Sequence, residues 1–308
     1  MRKKALTQMN LRNYILTLGV IALIGISCGD GGNGTTEANG TEENTSDNST
    51  GESNQLFEME GKLFSIPSPV QTAFLIKEVG SNYDPTFLND AKVATNYSTN
   101  FKKGINLGIY SADLGYVTIY EQTQDAIAYL TAVKKLANDL GVSGAFDMKL
   151  MSRFEGNLGN RDSLLCLVGD ALRASDAYLK NNQRNDVGSL VLAGGWIESL
   201  YFSTLVAARS HNDDVINRIG SQKATCNNLV QLLMPYYSKE DYTALIDQLM
   251  ELNDVYKGVE IVYTYKEPTV DVGKKKTTFN SVSDVRITDE QLNDISQKIK
   301  IIRDQLVS

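Results

Sequence analysis

"VGSLVLAGGWIESLYFSTLVAA", residues 187–208, carries a single charge in 22 residues, Glu198. A stretch of that length could cross a bilayer, which needs about 20 apolar residues. A carboxylate at mid-span fits lipid poorly, and Arg184 and Arg209 at the two ends give no orientation bias. A helix that is apolar all round is equally the buried centre of a helical bundle, and we read it so. Gly195, Ser199 and Ser203 recur every four residues along it. Residues 99–120 do nearly the same with Gly104, Gly108, Ala112 and Gly115. Each interior glycine costs about 1 kcal/mol relative to alanine. A row of them points to a compensating contact in which two backbones approach closely. The expectation is that these two helices lie against each other or against equally close neighbours.

Two acids stand in this apolar setting. Glu198 shares a helical face with Val191, Gly194, Tyr201, Phe202 and Leu205; Asp113 shares one with Asn106, Ile109, Tyr116 and Tyr120. Burying either carboxylate alone is costly, so each should be paired or hold a raised pKa. The structural reading has them bonding tyrosine hydroxyls, an arginine or helix ends and so fixing helix register. The functional reading has Asp113, Tyr116, Trp196, Glu198 and Tyr201 lining a polar pocket between helices 99–120 and 187–208, suited to a small molecule or lipid. A third reading pairs Asp113 with Glu198 as acid and base of a hydrolase.

The rest of the chain from Leu56 onward is dominated by helical periodicity. Ser68 before Pro69 is a cap and first-turn pair opening a helix that ends near Gly80. Residues 99–120 and 122–140 read as two helices or one long kinked one, and further helices are expected at 146–157, 161–181, 186–210, 213–235 and 239–257. Residues 259–287 alternate and read as a β-hairpin. Its Lys274–Lys276 run is a solvated tip, with contact to anionic headgroups as the lesser reading. Thr288 with Gln291 makes a capping box. Leu292, Ile295, Ile299, Ile302 and Leu306 then form a 3-4-3-4 seam that docks on the body. The fold class is therefore mainly all-α: one multi-helix bundle over 56–308, with a hairpin at 259–287 and a last helix at 289–306.

Catalytic signatures are missing from the sequence. The one histidine, His211, follows a predicted helix and reads as a partner of its dipole. One histidine cannot build paired metal motifs, and there is no D-x-D-x-D-G loop, G-x-S-x-G elbow or Walker lysine. No cofactor or metal is expected, and non-enzymatic work is favoured. Lys+Arg 30 against Asp+Glu 37 gives a net charge of −7, which argues against nucleic acid as a partner. Cys166 and Cys226 could pair or could be small core residues.

The N-terminus supplies an address. Arg2, Lys3, Lys4 and Arg12 precede an apolar run from Tyr14 to Ile26, the usual form of an export signal. "LIGISC", residues 23–28, resembles the lipobox of bacterial lipoproteins, with Gly25 where that family favours leucine. The resemblance implies cleavage after residue 27 and acylation of Cys28, whose acyl chains (palmitate, for example) anchor the mature chain. Residues 29–55, "GDGGNGTTEANGTEENTSDNSTGESNQ", hold six acids and no base. They are too polar to bury a core and read, with Cys28, as a 28–55 tether. "GINLGIYSADLGYVTIYEQTQD" (104–125) and "AGGWIESLY" (193–201) resemble helical lipoproteins of bacterial envelopes, which implies an all-α body and no particular activity. Together these give an expectation of a lipid-anchored envelope protein at the periplasmic or surface face of the outer membrane. It would act as a binding or assembly module with an envelope protein partner.

Overall fold

A proline opens the first helix and a threonine caps the second. The computed structural model describes residues 55–59, 62–145 and 181–308, with 152–154, 156–157, 160, 163, 167 and 178–179 between them. The signal, Cys28, the tether up to 54 and Cys166 lie outside the described residues. The expected helices 146–157 and 161–181 fall largely outside them too. The fold is mainly α with short antiparallel strands, as the periodicity leads one to expect. β1 (Gln55–Met59) pairs with β2 (Lys62–Ile66), Met59 opposite Lys62. α1 (Pro69–Glu78) opens on Pro69, whose fixed φ suits the first helical position. Ser68 is extended as a cap should be but makes no side-chain bond to the helix. Gly80, at φ +80, ends it in a left-handed turn that a Cβ would disfavour.

α2 (Asn100–Ile119) starts where Thr99 accepts from the Lys102 backbone N–H. α3 (Thr123–Asp139) follows and packs back on it. α4 (Asn185–Ser210) is the long apolar helix. It is long and apolar enough to cross a membrane, yet 83% of its most apolar window is buried inside the fold. α2 and α4 form the core pair and run in the same direction. Gly104 meets Leu190, Gly108 meets Val191 and Gly195, and the rings of Tyr116 and Phe202 lie 5.1 Å apart.

The expected single helix at 213–235 is two. α5 (Asp213–Gly220) and α6 (Lys223–Leu233) are separated at Ser221–Gln222. Gly220 sits against the hairpin: a Cβ there would lie 2.4 Å from Val285 Cγ1. Gln222 turns inward to accept from Trp196 Nε1 at 3.1 Å. Pro235 then ends α6, because a proline cannot continue the hydrogen-bond ladder. α7 (Glu240–Lys257) covers α6, with the Cys226 thiol 3.8 Å from the Leu249 carbonyl. That thiol is free, and burial pushes its pKa up to about 12, as for a small core residue.

The predicted hairpin is present and longer than a simple pair. β3 (Glu260–Thr264) pairs with β6 (Val282–Arg286); beyond them β4 (Thr269–Asp271) pairs with β5 (Lys276–Thr278). α8 (Asp289–Val307) opens on the expected capping box, Thr288 and Gln291 bonding each other's backbone N–H groups. Its seam residues Ile295, Ile299, Ile302 and Leu306 are buried against α7 and α4.

Candidate functional site

The small-residue stripes divide between two neighbours. A Cβ on Gly108 would stand 2.1 Å from the Val191 carbonyl oxygen, and one on Gly194 2.0 Å from that of Ile105. These glycines let α2 and α4 meet backbone to backbone. Gly115 faces Val70 of α1, and Ser199 and Ser203 border a crevice beside α1 instead of α2. That crevice, lined by Pro67, Thr72, Trp196, Leu200, Arg218 and Gln222 as well, holds about 10 Å³, the room of a single water.

The two helices bring Asp113 and Glu198 together at the centre, both fully buried. α8 supplies what they need. Arg303 Nε donates to Glu198 Oε2 and Nη2 to Oε1, each at 3.0 Å, a bidentate fork. The guanidinium lies 4.9 Å from the centre of the Tyr201 ring, and Nη2 also reaches the Phe87 carbonyl at 3.5 Å.

Asp113 has no cation of its own. Neither of its carboxyl oxygens completes a hydrogen bond to a protein donor, although the Asn89 backbone N–H lies close. Burial, then the neighbouring Glu198 charge, pushes its carboxyl well above the usual carboxylate range, against a smaller pull from Arg303. Raised in this way, the Asp113 carboxyl favours its protonated form beside Glu198, whose own two oxygens are both engaged by Arg303. Burial also leaves Glu198 above its ordinary value, with the guanidinium at both its oxygens pulling the other way. Both carboxyls are thus biased toward their neutral forms by burial, and Arg303 favours ionisation most at Glu198, the one it touches.

A loop closes this site. Residues 84–97 contain two 3₁₀ turns, Pro85–Phe87 and Ala91–Thr95, begun by Asp84 and Asp90 side chains that accept from Thr86 and Lys92 backbone N–H groups. Asn89 Nδ2 donates to Tyr97 Oη at 3.0 Å, and the Tyr110 hydroxyl to the Asp90 carbonyl at 2.9 Å. The end of α8 is tied from the same side. Asn106 Nδ2 donates to the Leu306 carbonyl at 2.9 Å and Lys102 Nζ to that of Gln305 at 2.5 Å, satisfying carbonyls that a helix end leaves open.

Of the five candidate residues, Asp113, Glu198 and Tyr201 meet around Arg303. Trp196 points to the other side, toward Gln222. Tyr116 belongs to an aromatic cluster with Tyr83, Phe87, Tyr120 and Phe202, and its hydroxyl accepts from the Asp84 N–H at 3.1 Å. Asp113 and Glu198 have no exposed surface, and the seam between α2 and α4 is closed by backbone contact. Arg303 escaped the sequence reading. The signal existed: it lies four residues after Ile299 and three before Leu306, in the apolar seam, and two buried acids call for a cation. His211 caps the C-terminal end of α4 with a left-handed φ of +48. No group of three or more His, Cys, Asp or Glu able to hold a metal occurs among the described residues.

The class defined so far is a mainly-α bundle knit through a buried acid–acid–arginine cluster. No family model matches the chain, and neither a curated protein nor a solved structure matches it.

Proposed function

We propose that the protein is a lipid-anchored module of the bacterial cell envelope, held by acyl chains on Cys28, whose folded body binds or assembles with an envelope partner and performs no catalysis. The observation that carries it is the N-terminal "LIGISC" at the end of a basic and then apolar leader, followed by an acidic tether. Two or three acyl chains contribute about 0.8 kcal/mol per buried CH₂, enough for stable attachment. The interior supports the non-enzymatic part. Asp113 and Glu198, the pair the sequence offers as acid and base, are fully buried, and Glu198 is tied to Arg303 at both oxygens. A general acid or base must reach its substrate, and this pair faces packed protein.

The test is incorporation of an alkyne-tagged fatty acid in growing bacteria. The wild-type chain takes up the label and Cys28→Ser does not. Equal labelling of both, or labelling of neither, overturns the reading. Glu198→Gln leaves labelling unchanged, because the buried pair plays no part in attachment.

A further inference from the structure

The hairpin arm is the most exposed apolar feature among the described residues. Val272 is 82% exposed, Phe279 80% and Val270 61%. Val270 stands opposite Thr277 in the β4–β5 pair, Val272 opens the turn that follows β4, and Phe279 lies directly after β5. The arm is held in shape by its own bonds. Asn280 Nδ2 donates to the Glu267 carbonyl at 2.7 Å and to Thr269 Oγ1 at 2.8 Å, and Ser281 Oγ accepts from the Lys266 N–H at 3.1 Å. These bridges span the gap between the two strand pairs. At the tip the Asp271 side chain accepts from the Lys274 N–H at 3.0 Å, closing the turn.

Charge is distributed to match. Lys266, Lys274, Lys275 and Lys276 stand on the arm against Glu267 and Asp271, so it is basic in a chain of net charge −7. Tyr263 and Tyr265, 63% and 66% exposed, lie nearer its base. Exposed apolar side chains beside ammonium groups, with tyrosines nearer the body, are a combination that a membrane interface accepts. An anionic surface repels the acidic body and attracts this arm. A second copy of the chain laid tip to tip would set lysine against lysine.

We propose that the arm, residues 265–279, docks on an anionic phospholipid surface. Val270, Val272 and Phe279 enter the interface and Lys274–Lys276 meet the headgroup phosphates. The docking does not require an acyl chain on Cys28, so the two readings stand or fall separately.

The test places a reporter on the arm of the full-length chain with Phe279→Trp. Vesicles are phosphatidylcholine with phosphatidylglycerol, or phosphatidylcholine alone, with brominated acyl chains as quencher. Trp196, 2% exposed, gives a constant background. With anionic vesicles the new tryptophan shifts to the blue and is quenched by the brominated chains; with neutral vesicles it stays solvent-like. Adding Lys274→Ala and Lys275→Ala lowers the quenching-derived partition coefficient about thirtyfold, at the usual contribution of a lysine near an anionic surface. An unquenched reporter on chains that sediment with anionic vesicles overturns the proposal. So does equal quenching in neutral vesicles. A blue shift that grows with protein concentration in the absence of vesicles overturns it too, and assigns the face to a second copy.

Discussion

Replacing Arg303 with methionine removes the only cation in contact with the buried acids among the described residues and keeps most of the side-chain volume. Two bonds of 3.0 Å to Glu198 are lost, and Glu198 is left fully buried beside Asp113. Breaking a buried ion pair from one side costs about 3–5 kcal/mol, because the remaining charge has neither water nor partner. In a body of this size that is a fall of about 10 °C in Tm. The loss has a signature that ordinary packing damage lacks. Glu198→Gln added to Arg303→Met removes the stranded charge and recovers about 2 kcal/mol or more, so the double variant is more stable than the single one. Acidification helps the single variant as well, since a proton on Glu198 neutralises it. The assay is urea unfolding at pH 7 and pH 5, followed by far-UV circular dichroism and by Trp196 fluorescence. An Arg303→Met loss below about 1 kcal/mol, or a double variant less stable than Arg303→Met, would refute the reasoning.

Three further outcomes follow from the same geometry. Asp113 is raised above its ordinary value of 3.8, so the native state binds its proton more tightly than the unfolded chain does, and its contribution to stability declines as pH rises from about 4 toward the native pKa. Asp113→Asn, which keeps a donor toward Glu198, removes that decline. Relative to wild type the variant therefore gains up to about 1.4 kcal/mol per pH unit across that window, and parallel stability curves would contradict it. Gly194→Ala puts a Cβ 2.0 Å from the Ile105 carbonyl oxygen, a backbone atom that cannot swing away. The helix gains about 1 kcal/mol in propensity and loses more to the clash, for a net loss of about 2–4 kcal/mol by chemical denaturation. His211→Gly relieves a φ of +48 at the exposed cap of α4 and stabilises by about 0.5–1 kcal/mol in the same assay; a loss would mean the imidazole holds the helix end.

Local pattern carried much of the architecture. The long apolar helix, the capping box of α8 and its buried seam follow from residues close together in the chain. The hairpin at 259–287 was legible from alternation, although its second strand pair and bridging Asn280 and Ser281 were not. β1 and β2 passed unnoticed despite a glycine-containing pair, Glu60–Gly61, between two short apolar runs. The break between α5 and α6 depends on the packing of Gly220 against Val285, 65 residues on, which periodicity within one helix does not encode. The buried acids were recognisable as needing partners. Which partner each takes is settled by tertiary placement: Glu198 meets an arginine 105 residues away, and Asp113 is buried beside Glu198 with no hydrogen-bond partner for either oxygen. The small-residue stripes told that backbones meet closely but left open whether α1 or α2 lay on each side.

The role proposed for the protein depends first on what is attached at residue 28. Mass spectrometry of the chain purified from native membranes tests this most directly. The account predicts a mature N-terminus at Cys28 with a mass increment of diacylglycerol and an N-acyl group on that residue. A chain that still starts at Met1, or one whose Cys28 carries a bare thiol, would contradict it.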